Sequence, residues 1–182
     1  MTDQTLYAGL LGPAWQGLPP LVRRLHGEGR ATGLFTIRRA RGPLAAMVGW
    51  LCRLPPAGEQ VPTRLVVRRQ GEGQRWERTF GTHALATGQR VWERHLLAEQ
   101  LGPVECVFRL RAEGRGILYE QVGAWLRLGP FSMRLPRLLS PRIEAEALES
   151  AEGMHVHVRI HVAVIGAMLS YEGVVVPEEP SA

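Results

Sequence analysis

The 182-residue chain has no lysine and no asparagine, and its only aspartate is Asp3. All 22 of its basic residues are therefore arginine. Without lysine there is no Walker-type phosphate loop and no Schiff-base chemistry. Without an internal aspartate a Ser-His-Asp triad or a two-aspartate site is excluded, whereas glutamate versions survive. There is no GxGxxG and no regular alternation of strand and helix, so no nicotinamide or other cofactor is expected. The longest uncharged apolar run, Pro43 to Cys52, is about half of the roughly 20 residues a spanning helix needs. The stretch from Met1 to Gly12 lacks the basic start and long apolar segment of a secretory signal, and a cytoplasmic protein is the expectation. Cys52 and Cys106 have no CxxC spacing and read as two buried, reduced thiols.

The chain does hold 45% apolar and 21% charged residues, ordinary for one folded domain. We expect a single β-rich domain over residues 1–176, helices within 5–26, and a flexible tail over 177–182. Gly12-Pro13 punctuates a first short helix, and a second opens at Pro20 and closes at Gly27. From Ala31 the period becomes two, with Gly33, Phe35 and Ile37 alternating with Leu34, Thr36 and Arg38. A helix follows over Pro43 to Leu54 and stops at Pro55-Pro56. Alternation returns at Val61 to Arg68, turns at Gln70-Gly71-Glu72-Gly73, and continues through Arg75 to Phe80 as a hairpin. Val104 to Leu110 and Gly116 to Arg127 form another pair, and Met154 to Val164 carries an unbroken apolar face before a last strand to about Val176. The stretch 141–152 has helix-like borders and composition, but Glu152-Gly153 sits where a hairpin turn belongs, so it is assigned as a strand. About eight or nine strands with short links favour a mainly β (α+β) fold. We expect an antiparallel meander curled into a barrel or half-barrel, lipocalin-like in shape, with N-terminal and inserted helices.

Several stretches carry a likeness to a known family: Leu6-Tyr7 through Leu11-Gly12-Pro13, Leu18-Pro19-Pro20, Leu25-His26-Gly27 and Arg41-Gly42-Pro43-Leu44. It continues in Leu54-Pro55-Pro56-Ala57-Gly58, Trp76-x-Arg78-x-Phe80, Glu99 before Leu101-Gly102-Pro103, and Tyr171-x-Gly173. In their order and spacing they resemble an uncharacterised bacterial domain of unknown function, number 4166, often found after a saccharopine-dehydrogenase-like Rossmann domain. The resemblance implies no particular activity. It does suggest a reading as an accessory domain that docks on a dehydrogenase-like protein.

Trp76, Arg78 and Phe80 share one strand face. If that face is interior, the guanidinium needs a partner. The partner is either a carboxylate such as Glu99, Glu93 or Glu120, or the acidic end of a ligand. Tyr119, Gln121 and Trp125 share a face with Ile117, and Tyr171 lies on the last strand. Polar groups in an aromatic wall suit a ligand pocket or an ordinary core equally. His155, His157 and His161 share a strand face opposite the apolar one. They read as a solvent-facing ladder with Glu144 or Glu146 across the hairpin, and no metal site is expected.

Charge is uneven, with ten arginines against three acids in residues 1–70 and twelve against fourteen in the rest. Arg38, Arg39, Arg41 and Arg53 bracket the apolar helix. Either Leu44, Met47, Val48 and Leu51 bury a core stripe, or 43–54 makes peripheral contact with an anionic membrane or acts as a lid. Scattered arginines without a recognised motif argue against nucleic acid. The leading expectation is a non-enzymatic module that binds an amphipathic or lipid-like acidic ligand in a hydrophobic barrel cavity. Its binding residues would be Trp76, Arg78, Phe80, Glu99, Tyr119, Gln121, Trp125 and Tyr171. An enzyme using Glu99 with a nearby histidine or tyrosine ranks last, because no nucleophile-base spacing supports it.

Overall fold

A computed structural model describes residues 5–179. Residues 1–4 of the Met1 to Gly12 stretch and residues 180–182 of the expected tail lie outside the described residues. The chain opens with α1 (Leu6–Leu11), a 3-10 turn (Gly12–Gly17) and α2 (Pro20–Leu25). The Thr5 hydroxyl caps α1 by accepting from the Ala8 N–H, and Gly12, at φ +55°, ends it. Then come β1 (Gly29–Arg39), α3 (Pro43–Leu51), β2 (Gly58–Gln70), β3 (Gly73–Phe80), β4 (His83–Trp92) and β5 (Leu96–Leu101). They are followed by β6 (Val104–Glu113), β7 (Gly116–Leu128), β8 (Phe131–Arg134), β9 (Pro141–Ser150), β10 (Gly153–Val162) and β11 (Gly166–Pro177).

Ten of these strands form an antiparallel ring. Each pairs with the next, β7 pairs with β9 past the short β8, and β11 returns to β1. Closure leaves no edge among the ten. The small β8 is added to the end of β7 alone. Because the ring runs up and down, its links fall at two ends. The β2–β3, β4–β5, β6–β7 and β9–β10 links share one end, which α1 and α2 plug by packing on β1, β4, β6, β9 and β10. The β1–β2 link with α3, the β3–β4, β5–β6 and β10–β11 links, and the β7–β9 connection with β8 share the other.

The strand count exceeds the eight or nine expected because β4 and β5 were not legible. Their interior residues are Leu85, Thr87 and Gln89, and Leu97, Glu99 and Leu101. Such a mixed face does not alternate clearly in hydropathy. The 141–152 assignment is met by β9. Of the stretch expected as a tail, residues 177 and 178 are tied to the barrel. β11 continues to Pro177, the Glu178 N–H donates to the Arg30 carbonyl, and the Glu178 carboxylate pairs with Arg64 at 3.3 Å.

The core-stripe reading of 43–54 is corrected. The helix ends at Leu51 and fully buries only the small residues Ala45 and Gly49; of the expected stripe Val48 is half-buried against the core, while Leu44, Met47 and Leu51, with Trp50, are exposed. The reason is Arg39, which points up from the ring and donates to the Leu54 carbonyl at 3.2 Å. A Cβ on Gly49 would fall 1.7 Å from the Arg39 guanidinium, so α3 sits down through its small face. The outer wall carries charged pairs such as Arg68–Glu77 and Arg111–Glu120, unlike the apolar band of a transmembrane barrel. Among the described residues no helix is long and apolar enough to cross a membrane.

Candidate functional site

At the plugged end the interior is a chain of neutral hydrogen-bonding groups. His26 is fully buried and contacts the Val22 carbonyl through Nδ1 at 2.7 Å. Burial lowers its pKa to about 4. The ring is therefore neutral at ordinary pH. With the Nδ1 proton on Val22, Nε2 accepts from the Tyr119 hydroxyl at 3.1 Å. The Tyr7 hydroxyl lies 3.1 Å from that of Tyr119 and donates to Gln89 at 2.9 Å. The Gln74 amide donates to the His26 carbonyl and accepts from the Trp76 indole. Burial raises the pKa values of Tyr7, Tyr119 and Tyr171, keeping all three as phenols.

Arg78 lies deeper in the ring. The two-residue period of β3 puts it between Trp76 and Phe80, with its guanidinium carbon 5.1 Å from the Trp76 ring centre. Phe80 meets Phe35 and Tyr171 at ring separations of 5.9 and 5.6 Å. Arg78 Nη1 donates to Thr87 Oγ1 at 2.9 Å and Nη2 donates to Glu99 Oε1 at 3.3 Å, while Thr87 Oγ1 donates to the same Glu99 oxygen at 2.7 Å. Burial opposes the charge, but Tyr171, once ionised at high pH, and the Glu99 carboxylate outweigh it and hold the arginine pKa above its ordinary value. Of the three carboxylates considered for Arg78, Glu99 is the partner, and Glu120 pairs with Arg111 on the outer wall.

The network leaves polar atoms over. Among the described residues Arg78 Nε and Glu99 Oε2 make no hydrogen bond to protein. The side chains retain 14% and 20% of their surface, and both line an internal cavity of about 130 Å³. The cavity runs from His26 at the plugged end to Leu54 beneath α3, with Trp76, Phe80, Tyr119 and Tyr171 in its walls.

Six of the eight residues singled out in the sequence therefore meet around one space: Trp76, Arg78, Phe80, Glu99, Tyr119 and Tyr171. Gln121 and Trp125 stand apart. The Gln121 amide donates to the Pro141 carbonyl at 2.7 Å and accepts from the Ile143 N–H at 2.6 Å, bridging the gap where β7 leaves β9 for β8. Trp125 departs from its expected parity because Val107 pairs with Gly123 while Phe108 pairs with Gln121. Val122 is thus an extra residue, and such a bulge reverses the facing of every later residue in the strand. Ala124 points inward and Trp125 packs outside on Trp92, ring centres 4.9 Å apart. Thr87, Gln89 and His26 join the cavity without having been singled out for it, because β4 had no readable face and His26 stood in a helix.

The histidine ladder lies on the outer wall. His155 pairs with Glu172 at 3.0 Å and His157 with Glu146 at 3.6 Å. Among the described residues no three His, Cys, Asp or Glu side chains are gathered to hold a metal ion. Cys52 and Cys106 are free and buried, and burial pushes the Cys106 thiol up to about 12. Neither is a thiolate nucleophile at ordinary pH.

Residues from most of the stretches that carry the family likeness meet in this interior, with Leu54 and Leu101 beside Tyr7, His26, Trp76, Arg78, Phe80, Glu99 and Tyr171. Glycine in the Tyr171-x-Gly173 pair has a packing reason, since a Cβ there would lie 2.3 Å from the Leu34 carbonyl and 2.7 Å from the Phe35 ring. Comparison with curated proteins and with solved structures found no match. One family does match, over residues 18–175, and the chain belongs to it: Domain of unknown function (DUF4166).

Proposed function

We propose that the chain is a non-enzymatic binding module whose barrel takes a small amphipathic acid. Its apolar body lies among Phe35, Phe80 and Tyr171, and its acid group meets Arg78 and Glu99. The observation that carries this reading is a buried ion pair with an open N–H and an open carboxylate oxygen facing one cavity. A donor and an acceptor that the protein leaves free along the cavity wall are what the polar end of a ligand would pair with.

Size and charge narrow the ligand. The cavity of about 130 Å³ is below the roughly 300–1,000 Å³ of most ligand pockets and near the ~150 Å³ that accommodates benzene. It suits a single ring or a short chain, and a lipid-length tail would have to leave beneath α3. Arg78 is already neutralised by Glu99, so a bare anion would put two carboxylates against one guanidinium. An acid that arrives with its proton avoids this. It donates to Glu99 Oε2 and accepts from Arg78 Nε.

The test is mass spectrometry of small molecules released from purified, denatured protein, followed by calorimetry with single-ring and short-chain carboxylic acids in buffers of different ionisation enthalpy. The expected result is a bound acid whose uptake carries about one proton and whose affinity rises as pH falls. No copurifying acid, together with no heat of binding at millimolar concentration, would overturn the reading.

A further inference from the structure

We infer that the α3 end of the barrel is a docking face for an anionic lipid bilayer. Large apolar side chains gather there in the open. α3 exposes Leu44, Met47, Trp50 and Leu51, with Trp50 78% exposed. The β7–β9 connection at the same end exposes Phe131, Met133, Leu138 and Leu139, with Phe131 77% exposed. Val164 adds to them from the β10–β11 link. Ordinarily a nine-residue helix would turn such residues into the core, but α3 turns Ala45 and Gly49 inward instead.

Charge selects the partner. The links at this end, residues 40–57, 81–82, 102–103, 129–140 and 163–165, contain Arg41, Arg53, Arg134 and Arg137 and no acid. The links at the plugged end instead mix Glu72, Glu93 and Glu152 with Arg94 and Arg115. Glu59, the second residue of β2, is an exposed acid near the α3 end. Just below this end Arg38, Arg142, Arg159 and His161 surround a groove on the outer wall, with Glu144 as the only acid among the described residues that line it. Apolar side chains interleaved with arginines match the two layers of an anionic membrane surface, acyl chains below and phosphates around them. A second copy of the same face would set arginine against arginine.

The test is sedimentation of the full chain with phosphatidylcholine vesicles, with and without about one-third phosphatidylglycerol, at low and high salt. Binding is expected to be about tenfold stronger to the anionic vesicles and to weaken with salt. Replacing Trp50→Ser and Phe131→Ser together keeps the net charge and touches only water-exposed side chains. The expected effect is a further loss of about tenfold. Brominated acyl chains should quench tryptophan emission of the native chain but not of Trp50→Phe. Absence of binding to anionic vesicles at low salt would overturn the inference. So would unchanged binding by the double variant, since any basic protein is drawn to such vesicles, or a stable dimer in which Trp50 is shielded from acrylamide.

Discussion

Glu99 on β5 and Glu105 on β6 are close neighbours in the sheet, and each meets arginine beside a tryptophan, one inside the barrel and the other outside. Glu105 accepts from Arg90 Nε and Nη2 on one oxygen, at 3.1 and 2.7 Å, and from Arg127 Nε on the other at 2.7 Å. The Trp92 ring centre lies 4.9 Å from the Arg90 guanidinium carbon and 5.4 Å from that of Arg127. Both carboxylate oxygens are used. Glu99 has one oxygen engaged and one open, and its arginine likewise keeps an unused N–H toward a cavity. Buried charge alone therefore does not mark a binding site. What sets the proposed site apart is polar atoms that the protein leaves unpaired along a cavity.

The sharpest test of that contrast is Glu99→Leu. It strands Arg78 inside the barrel and should cost about 3–5 kcal/mol in denaturant unfolding, with Arg78→Met in the same chain restoring most of it. A loss below about 1 kcal/mol would mean that the inner pair is solvated through the cavity, which would erase the difference from Glu105.

Acid should act on the plugged end. His26 has a pKa of about 4 in the folded chain against 6.5 as the ordinary value. The unfolded chain thus takes up the proton first, and stability is lost as pH falls from about 6.5 towards 4. The full difference is about 3 kcal/mol. Unfolding midpoints measured across that range should fall in the native chain and fall less in His26→Gln.

In calorimetry, Arg78→Ala should weaken acid binding by about 1.5–3 kcal/mol, the worth of a charged hydrogen bond. Unchanged affinity would remove Arg78 from the site. Glu105→Gln should cost less stability, about 1–2 kcal/mol, because Arg90 and Arg127 can turn into water. It should leave ligand affinity as it was. The smallest effect belongs to Trp125→Phe, within about 0.5–1 kcal/mol in stability and none in binding. A loss of binding there would return Trp125 to the site.

Period-two patterning in β1, β2, β3, β6, β10 and β11 was enough to specify an antiparallel meander, and Trp76-x-Arg78-x-Phe80 was enough to place one arginine among aromatic rings. These are local properties, because alternation along a strand decides facing wherever the register is regular. β4 and β5 escaped notice for the same physical reason that makes them interesting. Their inward Thr87, Gln89 and Glu99 are polar, since they serve the network around Arg78. Three things rested on contacts between residues far apart in the chain. Closure needed β11 to find β1, the extra Val122 turned Trp125 outward, and Arg39 beneath Gly49 forced α3 to bury its small side and expose Trp50. No local pattern carries that information, because each depends on which side chain already occupies the space a distant segment must enter.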